Sequence, residues 1–257
     1  MKRILILGGT REAVELAERL HKRDGLHVIS SLAGRTHTPH LPPGEVRVGG
    51  FGGAAGLRDY LARERIDLMI DATHPFAERM HANAVEASRA SGVPLLRLER
   101  PVWQPQAGDH WIMADSADHA AKLAPHHGKR AFLTTGVKDL GAFRDIDAVW
   151  FLVRLVEAPT EAIPLRHYEL IRGRGPFGAA DEEALMRRHD IDLLISKESG
   201  GDSTYGKIEA ARMLQIPVIM IRRPTPVPGV EVATSIDAAV ARIVGRSATP
   251  GFPLSRG

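Results

Sequence analysis

Two kinds of cluster in this sequence have the residue types and spacing to do chemistry. One is the glycine-rich turn, which lets a backbone approach an anion. The other is a titratable side chain set directly after an apolar run. Gly8-Gly9-Thr10-Arg11-Glu12-Ala13 belongs to the first kind and follows Ile4-Leu5-Ile6-Leu7 without a break. A turn from a strand into a helix offers backbone N–H groups and the positive end of a helix dipole, which together hold phosphate. The glycines are adjacent rather than spaced as Gly-x-Gly-x-x-Gly, and Ala13 stands where a third would be. Thr10 is expected to add a hydroxyl donor. The competing reading is a tight turn that needs glycine and binds nothing.

The second apolar run, His27-Val28-Ile29, leads into Ser30-Ser31-Leu32-Ala33-Gly34-Arg35-Thr36. Dinucleotide sites that prefer NAD place an acid here to accept from the adenosine 2′-hydroxyl. None is present, and Arg35 is within reach of a 2′-phosphate, which guanidinium binds and carboxylate repels. The pattern points to NADPH, with Ser31, Gly34 and Arg35 on the 2′-phosphate; a solvated loop arginine is the bland alternative.

Further candidates sit after later runs. Gly49-Gly50-Phe51-Gly52-Gly53 follows Val46-Arg47-Val48 and suits either a backbone lying against a flat ligand near Gly50 or a flexible loop. Asp71-Ala72-Thr73-His74-Pro75-Phe76 follows Leu68-Met69-Ile70, and Asp71 or His74 could donate a proton there. Thr73 is also a candidate helix cap, with Pro75 in the first helical turn. In the second half, Thr134-Thr135-Gly136-Val137-Lys138, Arg172 to Phe177 and Ser196-Lys197-Glu198-Ser199-Gly200-Gly201 occupy matching positions. Lys197 is expected either to pair with Glu198 or to face a substrate carboxylate.

Other chemistries find less support. Gly201 to Lys207 matches Gly-x4-Gly-Lys, the start of a phosphate-binding loop, but Ile208 replaces the hydroxyl that would hold Mg²⁺. The 12 histidines form no metal-ligand spacing, so no metal is expected. No Gly-x-Ser-x-Gly elbow is present.

The elements that must position these residues alternate along the chain. Short apolar runs at Ile4, Val28, Val46, Leu68 and Leu95 are separated by helical periodicities such as Ala13, Leu16, Ala17 and Leu20. Runs with little alternation are strands covered on both faces, and strand–helix alternation builds a parallel sheet. Glu99-Arg100-Pro101 breaks the pattern, and a second series begins at Trp111 and continues through Phe132, Val149, Tyr168, Leu193 and Val218. Ser116 and Ser235 read as helix N-caps. The fold class expected is α/β, with two Rossmann-like domains of mainly parallel sheets and a cleft between them. The expected domains are 1–99, binding NADP, and 100–245, with a disordered tail over 246–257.

Composition sets bounds. With 257 residues, 44% hydrophobic and 25% charged, the chain can bury two cores of ordinary size. The net charge of +3 comes from 27 arginines and 7 lysines against 31 acids, which suits an anionic ligand as well as a biased genome. No basic run is interleaved with aromatics, and no apolar stretch is long enough for a membrane span, so neither nucleic acid nor membrane is an expected partner. There is no cysteine, and the N-terminus runs straight into a strand rather than an export signal; a cytoplasmic location is expected.

Taken together, the ordered segments resemble the precorrin-6A reductases of cobalamin biosynthesis. The resemblance runs from Ile4 to about Pro224. It rests on Gly8-Gly9-Thr10-x-Glu12, Ser31 to Arg35, Asp71 to Phe76, Thr135-Gly136, Gly175-Pro176-Phe177 and Ser196 to Gly200. Lys207, Ala210-Ala211-Arg212 and Arg223-Pro224 complete it. The resemblance implies reduction of one carbon–carbon double bond in a tetrapyrrole precursor by reduced nicotinamide. It implies Gly8, Gly9, Thr10, Arg11 and Glu12 on the pyrophosphate side, with Gly50, Thr73 and Gly136 also touching the cofactor. Asp71, His74 and Lys197 become candidates for the chemistry, and His74, Lys197, Glu198, Ser199, Gly200 and Gly201 for the macrocycle. Handover to other enzymes of the pathway follows from the same implication. A cobalt-precorrin-6A reductase, a non-catalytic NADPH-binding protein and a phosphotransferase remain the alternatives.

Overall fold

The structure, a computed structural model, describes residues 1–34 and 41–245. Arg35 and the 246–257 tail therefore lie outside the described residues. The described residues form two α/β units, one built from the segments before Pro101 and after Arg223 and the other from 101–223.

In the first unit the chain runs β1 (Lys2–Leu7), α1 (Arg11–His21), β2 (Leu26–Leu32), β3 (Glu45–Val48), α2 (Gly53–Arg63), β4 (Leu68–Asp71), α3 (Glu78–Ser91) and β5 (Leu95–Leu98), and later returns with β12 (Glu231–Ala233) and α7 (Ile236–Gly245). The sheet order is β12-β5-β4-β1-β2-β3, and every pairing is parallel. The run Ile4 to Leu7 shows why both faces must be covered. Ile4 and Ile6 pack with Leu16, Leu20 and Ile243 on one side, while Leu5 and Leu7 pack with Leu57, Leu61 and Ala87 on the other. Each buried Leu or Ile contributes about 1.5–3 kcal/mol over an exposed one, so the central strand anchors the sheet.

The second unit contains β6 (Trp111–Ala114), α4 (Ala117–His127), β7 (Arg130–Leu133), β8 (Trp150–Leu155), β9 (Tyr168–Arg172), α5 (Ala179–Arg188), β10 (Leu193–Lys197), α6 (Gly206–Met213) and β11 (Val218–Ile221). Its order, β6-β11-β10-β7-β8-β9, repeats the arrangement, again all parallel. Ser116 and Ser235 cap α4 and α7 through their hydroxyls, as their spacing predicts.

One expected boundary needs correction. Residues 224–245 were assigned with the second domain by chain continuity, but β12 pairs with β5 and α7 packs on the first sheet. A three-residue strand after a Pro-rich segment carries too little pattern to announce its sheet; the free edge of β5 decides it. Among the described residues, no helix is long and apolar enough to cross a membrane.

Candidate active site

In an open parallel sheet, ligands bind outside the carboxyl ends of the strands where the strand order reverses. In the first sheet that point lies at β1 and β4. The turn after β1 is open: a Cβ on Gly9 would meet nothing, and its φ of +119° is one that L residues avoid. Gly8 is packed instead, a Cβ there falling in ordinary contact with Leu32 and Ala13, and its N–H is donated to the Ser31 carbonyl at 2.9 Å. The N–H groups of Arg11 and Glu12 open α1 with no acceptor among the described residues. These are the features of a phosphate cradle.

One expected role at this turn changes. Thr10 is not a spare hydroxyl donor. Its Oγ1 donates to the Ala72 carbonyl at 2.8 Å and accepts from Ala13 N–H at 3.2 Å, so it caps α1 and ties the phosphate turn to the loop after β4. Glu12, expected on the pyrophosphate side, has a cation beside it. It accepts from Arg100 at 3.0 and 3.1 Å, which neutralises an acid that would repel phosphate. Arg11 is exposed beside it.

The loop after β4 is held from below by a chain of buried ionisable groups. Asp71 Oδ2 lies 2.5 Å from His81 Nδ1, and Asp71 Oδ1 accepts from Thr73 Oγ1 at 2.7 Å and Thr73 N–H at 3.1 Å. His81 Nε2 has the Pro75 carbonyl at 3.2 Å and Arg97 Nη2 at 3.3 Å. Arg97 pairs with Glu99 at 3.1 Å. All four ionisable side chains are buried. Burial alone would raise the Asp71 carboxyl, but the bonds from His81 and Thr73 together outweigh it and hold Asp71 below the ordinary carboxylate value. Both Asp71 oxygens are thus engaged by His81 and Thr73, an arrangement that favours the carboxylate over the proton donor expected from its place after the strand. Thr73 does not cap α3, which starts at Glu78 with no side-chain cap; its hydroxyl serves Asp71. His74 is exposed, and its Nδ1 accepts from Phe76 N–H at 3.3 Å.

At the ends of β2 and β3, Arg47 is the residue that the sequence did not single out. Nη1 donates to Ser31 Oγ and the Gly49 carbonyl, both at 2.9 Å, and Nη2 donates to the Gly50 carbonyl at 3.0 Å. The guanidinium lies 3.8 Å from the Phe51 ring centroid. Burial pushes it below its usual value. Gly50 thus serves through its carbonyl, and Phe51 packs Arg47 and Tyr60 rather than standing ready for a ligand. Gly34 presses toward Val48, and Ser30 Oγ is buried without a partner.

In the second unit the corresponding loops follow β7 and β10. Lys197 pairs with Asp139 at 2.5 Å and not with Glu198. Asp139 sits in the 3-10 helix Val137–Phe143 that opens at Gly136, whose φ is +90°. Glu198 accepts from Arg223 N–H at 3.2 Å, and Arg223 also donates to the Glu198 and Ser199 carbonyls. Ser199 is buried; Trp103 Nε1 donates to the Gly201 carbonyl at 2.9 Å. A Cβ on Gly200 would fall 2.3 Å from the Pro101 carbonyl. Glu198 to Gly201 therefore form a braced turn beside the Lys197–Asp139 pair. The Gly-x4-Gly-Lys stretch is packed shut: a Cβ on Gly206 would meet the Phe177 carbonyl at 2.5 Å, Lys207 is buried on the Thr204 carbonyl, and Ile208 is core. No group of acids and histidines among the described residues is placed to hold a metal.

Comparison with known proteins identifies the family. A sequence model of the family described as "Precorrin-6x reductase CbiJ/CobK" matches residues 3–244. A precorrin-6A reductase of Rhodococcus erythropolis is 49% identical over 241 residues, covering 94% of this chain and 97% of its own. A cobalt-precorrin-6A reductase of Salmonella typhimurium is 33% identical over 93% of this chain and 95% of its own. The solved structure of a CobK precorrin-6A reductase superposes with a TM-score of 0.91 at 40% identity, covering 97% of this chain and 99% of that one. The chain belongs to the precorrin-6x reductase family, and it is a reductase built as two parallel six-stranded α/β units.

Proposed function

We propose that this chain reduces a carbon–carbon double bond of precorrin-6A with NADPH, giving the dihydro product. The observation that carries the reading is the stitch at the first switch point. There Thr10 joins an open phosphate turn to the Asp71–Phe76 loop, so one bond sets the distance between the cofactor's diphosphate and the side chains after β4. The metal-free substrate is preferred to its cobalt form because the relative named for it is 49% identical, against 33% for the cobalt enzyme.

The reduced nicotinamide, when bound, supplies the hydride. The protein's own groups then do three things. The turn from Gly8 to Glu12 holds the diphosphate through the N–H groups that follow Gly8, whose own N–H is bonded to Ser31, and through the α1 dipole. The buried Asp71–His81–Arg97–Glu99 chain keeps residues 72–76 rigid, so that His74 is presented at a constant height and supplies the proton to the carbon next to the one reduced. A polyanionic macrocycle also calls for cations, and Lys197 at the end of β10 is the candidate that the second unit offers for one of its carboxylates. Catalysis by this scheme occurs where the parallel-sheet loops are, in a protein expected to act in the cytoplasm.

The test is anaerobic incubation of the protein with precorrin-6A and NADPH, followed by mass spectrometry of the tetrapyrrole. A gain of two hydrogens coupled to loss of reduced-nicotinamide absorbance supports the proposal. No mass change with NADPH or NADH, from protein that folds, would sink it.

A further inference from the structure

Among the described residues, Arg47 carries a charge that no acid neutralises. Its three hydrogen bonds go to Ser31 Oγ and to the carbonyls of Gly49 and Gly50, all uncharged acceptors. No carboxylate pairs with it among the described residues; after burial itself, the titratable neighbours that act on it are the Tyr60 phenol and the like-charged Arg63. A guanidinium has five N–H donors, and three are engaged by described residues, which leaves Nε–H and one N–H of Nη2 without an acceptor among them and suited to a ligand. A half-buried cation with open donors and no counter-ion is stabilised by an anion that arrives with a ligand.

Its position says which anion. Nη1 donates to Ser31 Oγ, and the carbonyl of that same Ser31 accepts the N–H of Gly8 in the phosphate turn. Arg47 is therefore one residue removed from the diphosphate cradle, at the carboxyl ends of β2 and β3, where this fold lays the adenosine ribose. Phe51 and Tyr60 brace the guanidinium from their rings, at 3.8 and 5.1 Å. The rim beyond is open: a Cβ on Gly49, Gly50, Gly52 or Gly53 would meet nothing within 4 Å.

We propose that Arg47 is the built-in receptor for the phosphomonoester on the adenosine 2′-position, and so sets the preference for the phosphorylated dinucleotide. The inference rests on the dinucleotide reading above and adds a residue to it. Arg47 is preorganised for this by Ser31 and Phe51, so little side-chain freedom is lost when the phosphate binds.

The experiment measures binding of adenosine 2′,5′-bisphosphate, NADPH and NADH by calorimetry to the full chain and to Arg47→Ala, Arg47→Lys and Arg35→Ala. Loss of one charge-assisted contact corresponds to roughly a 10- to 100-fold weakening. Arg47→Ala should show that loss for the bisphosphate and NADPH and keep NADH affinity within about two-fold, with Arg47→Lys in between. Equal losses for NADPH and NADH, or loss confined to Arg35→Ala, would overturn the role of Arg47. If Arg47→Ala unfolds in thermal melts, Arg47→Lys carries the test, and unchanged NADPH affinity there with unchanged preference overturns it. An unmodified protein that binds both dinucleotides equally well defeats this inference alone; one that binds neither defeats the dinucleotide reading itself.

Discussion

Asp71 Oδ2 and His81 Nδ1 stand 2.5 Å apart with both side chains out of water, one ending β4 and the other in the first turns of α3. The pair lies under the loop that presents His74. Breaking a buried charged pair by removing one partner leaves the other uncompensated, at a cost of about 3–5 kcal/mol. Asp71→Asn should therefore lower the unfolding free energy of the first unit by that order. Urea unfolding monitored by circular dichroism checks it, and a loss under about 1 kcal/mol would mean the pair is solvated in a way the structure does not show.

The same carboxylate gives a pH signature. Asp71 is held below its ordinary value of 3.8 in the folded chain and returns to it on unfolding. A group depressed by folding binds its proton more readily in the unfolded chain, so its stabilisation is complete above about pH 5 and is lost as pH falls through the folded value. Unfolding free energies of the unmodified chain and Asp71→Asn should run parallel from pH 8 to about pH 5 and converge below about pH 4. Convergence on the alkaline side instead would assign the titration to another group.

Thr10 links two loops with one hydroxyl. Removing it in Thr10→Ala takes away an N-cap worth about 1 kcal/mol and leaves the Ala72 carbonyl short of its donor, at about 1–3 kcal/mol. Thr10→Ser keeps both bonds. The expected result is a lower Tm and weaker NADPH binding for the alanine variant and near-normal values for serine. Equal behaviour of the two would show that the methyl, rather than the hydroxyl, matters.

Gly200 has φ +67°, and a Cβ there would sit 2.3 Å from the Pro101 carbonyl and 2.7 Å from Arg223 Nη2. Arginine can swing, but the carbonyl belongs to the backbone and cannot move cheaply. Gly200→Ala should destabilise the second unit by about 1–3 kcal/mol from backbone conformation alone, with the clash added. Trp103 donates to the neighbouring Gly201 carbonyl, so a shift in tryptophan emission should accompany the loss. A variant as stable as the parent, with unchanged emission, would refute the braced turn.

Parts of this were legible in the sequence because one-dimensional pattern controls them. Ile4 to Leu7 read as a strand covered on both faces because both of its faces meet helices. The strand order put Gly8 and Asp71 on adjacent strand ends, as strand–helix alternation implies. Glu231–Ala233 was misplaced because its three residues hold no period, and its sheet is set by pairing with Leu96 to Leu98. Arg47 was hidden because Val46-Arg47-Val48 alternates as any edge strand does, and its partners are mainly carbonyls, which every residue has. His81 was hidden inside the periodicity of Met80, Ala84 and Ala87; only the fold brings it to Asp71, ten residues earlier. Asp139 was hidden because a 3-10 helix, not a motif, carries it to Lys197.

His74 is the exposed titratable side chain of the loop after β4, and its Nδ1 accepts from Phe76 N–H; to serve as the acid the ring takes a second proton at Nδ1 from solvent, giving up that bond, and the imidazolium then donates from Nε2 to the substrate carbon. Removing a general acid costs roughly 10²- to 10⁴-fold in rate. His74→Gln should lower kcat by that order while leaving NADPH affinity within about two-fold, because the phosphate turn is untouched. A single-turnover measurement in D₂O separates the steps: the unmodified enzyme should show a solvent isotope effect that the variant alters, since the proton then comes from water. A variant with unchanged kcat and unchanged isotope effect would take His74 out of the reaction and leave proton delivery to solvent or to the macrocycle's own carboxyl groups.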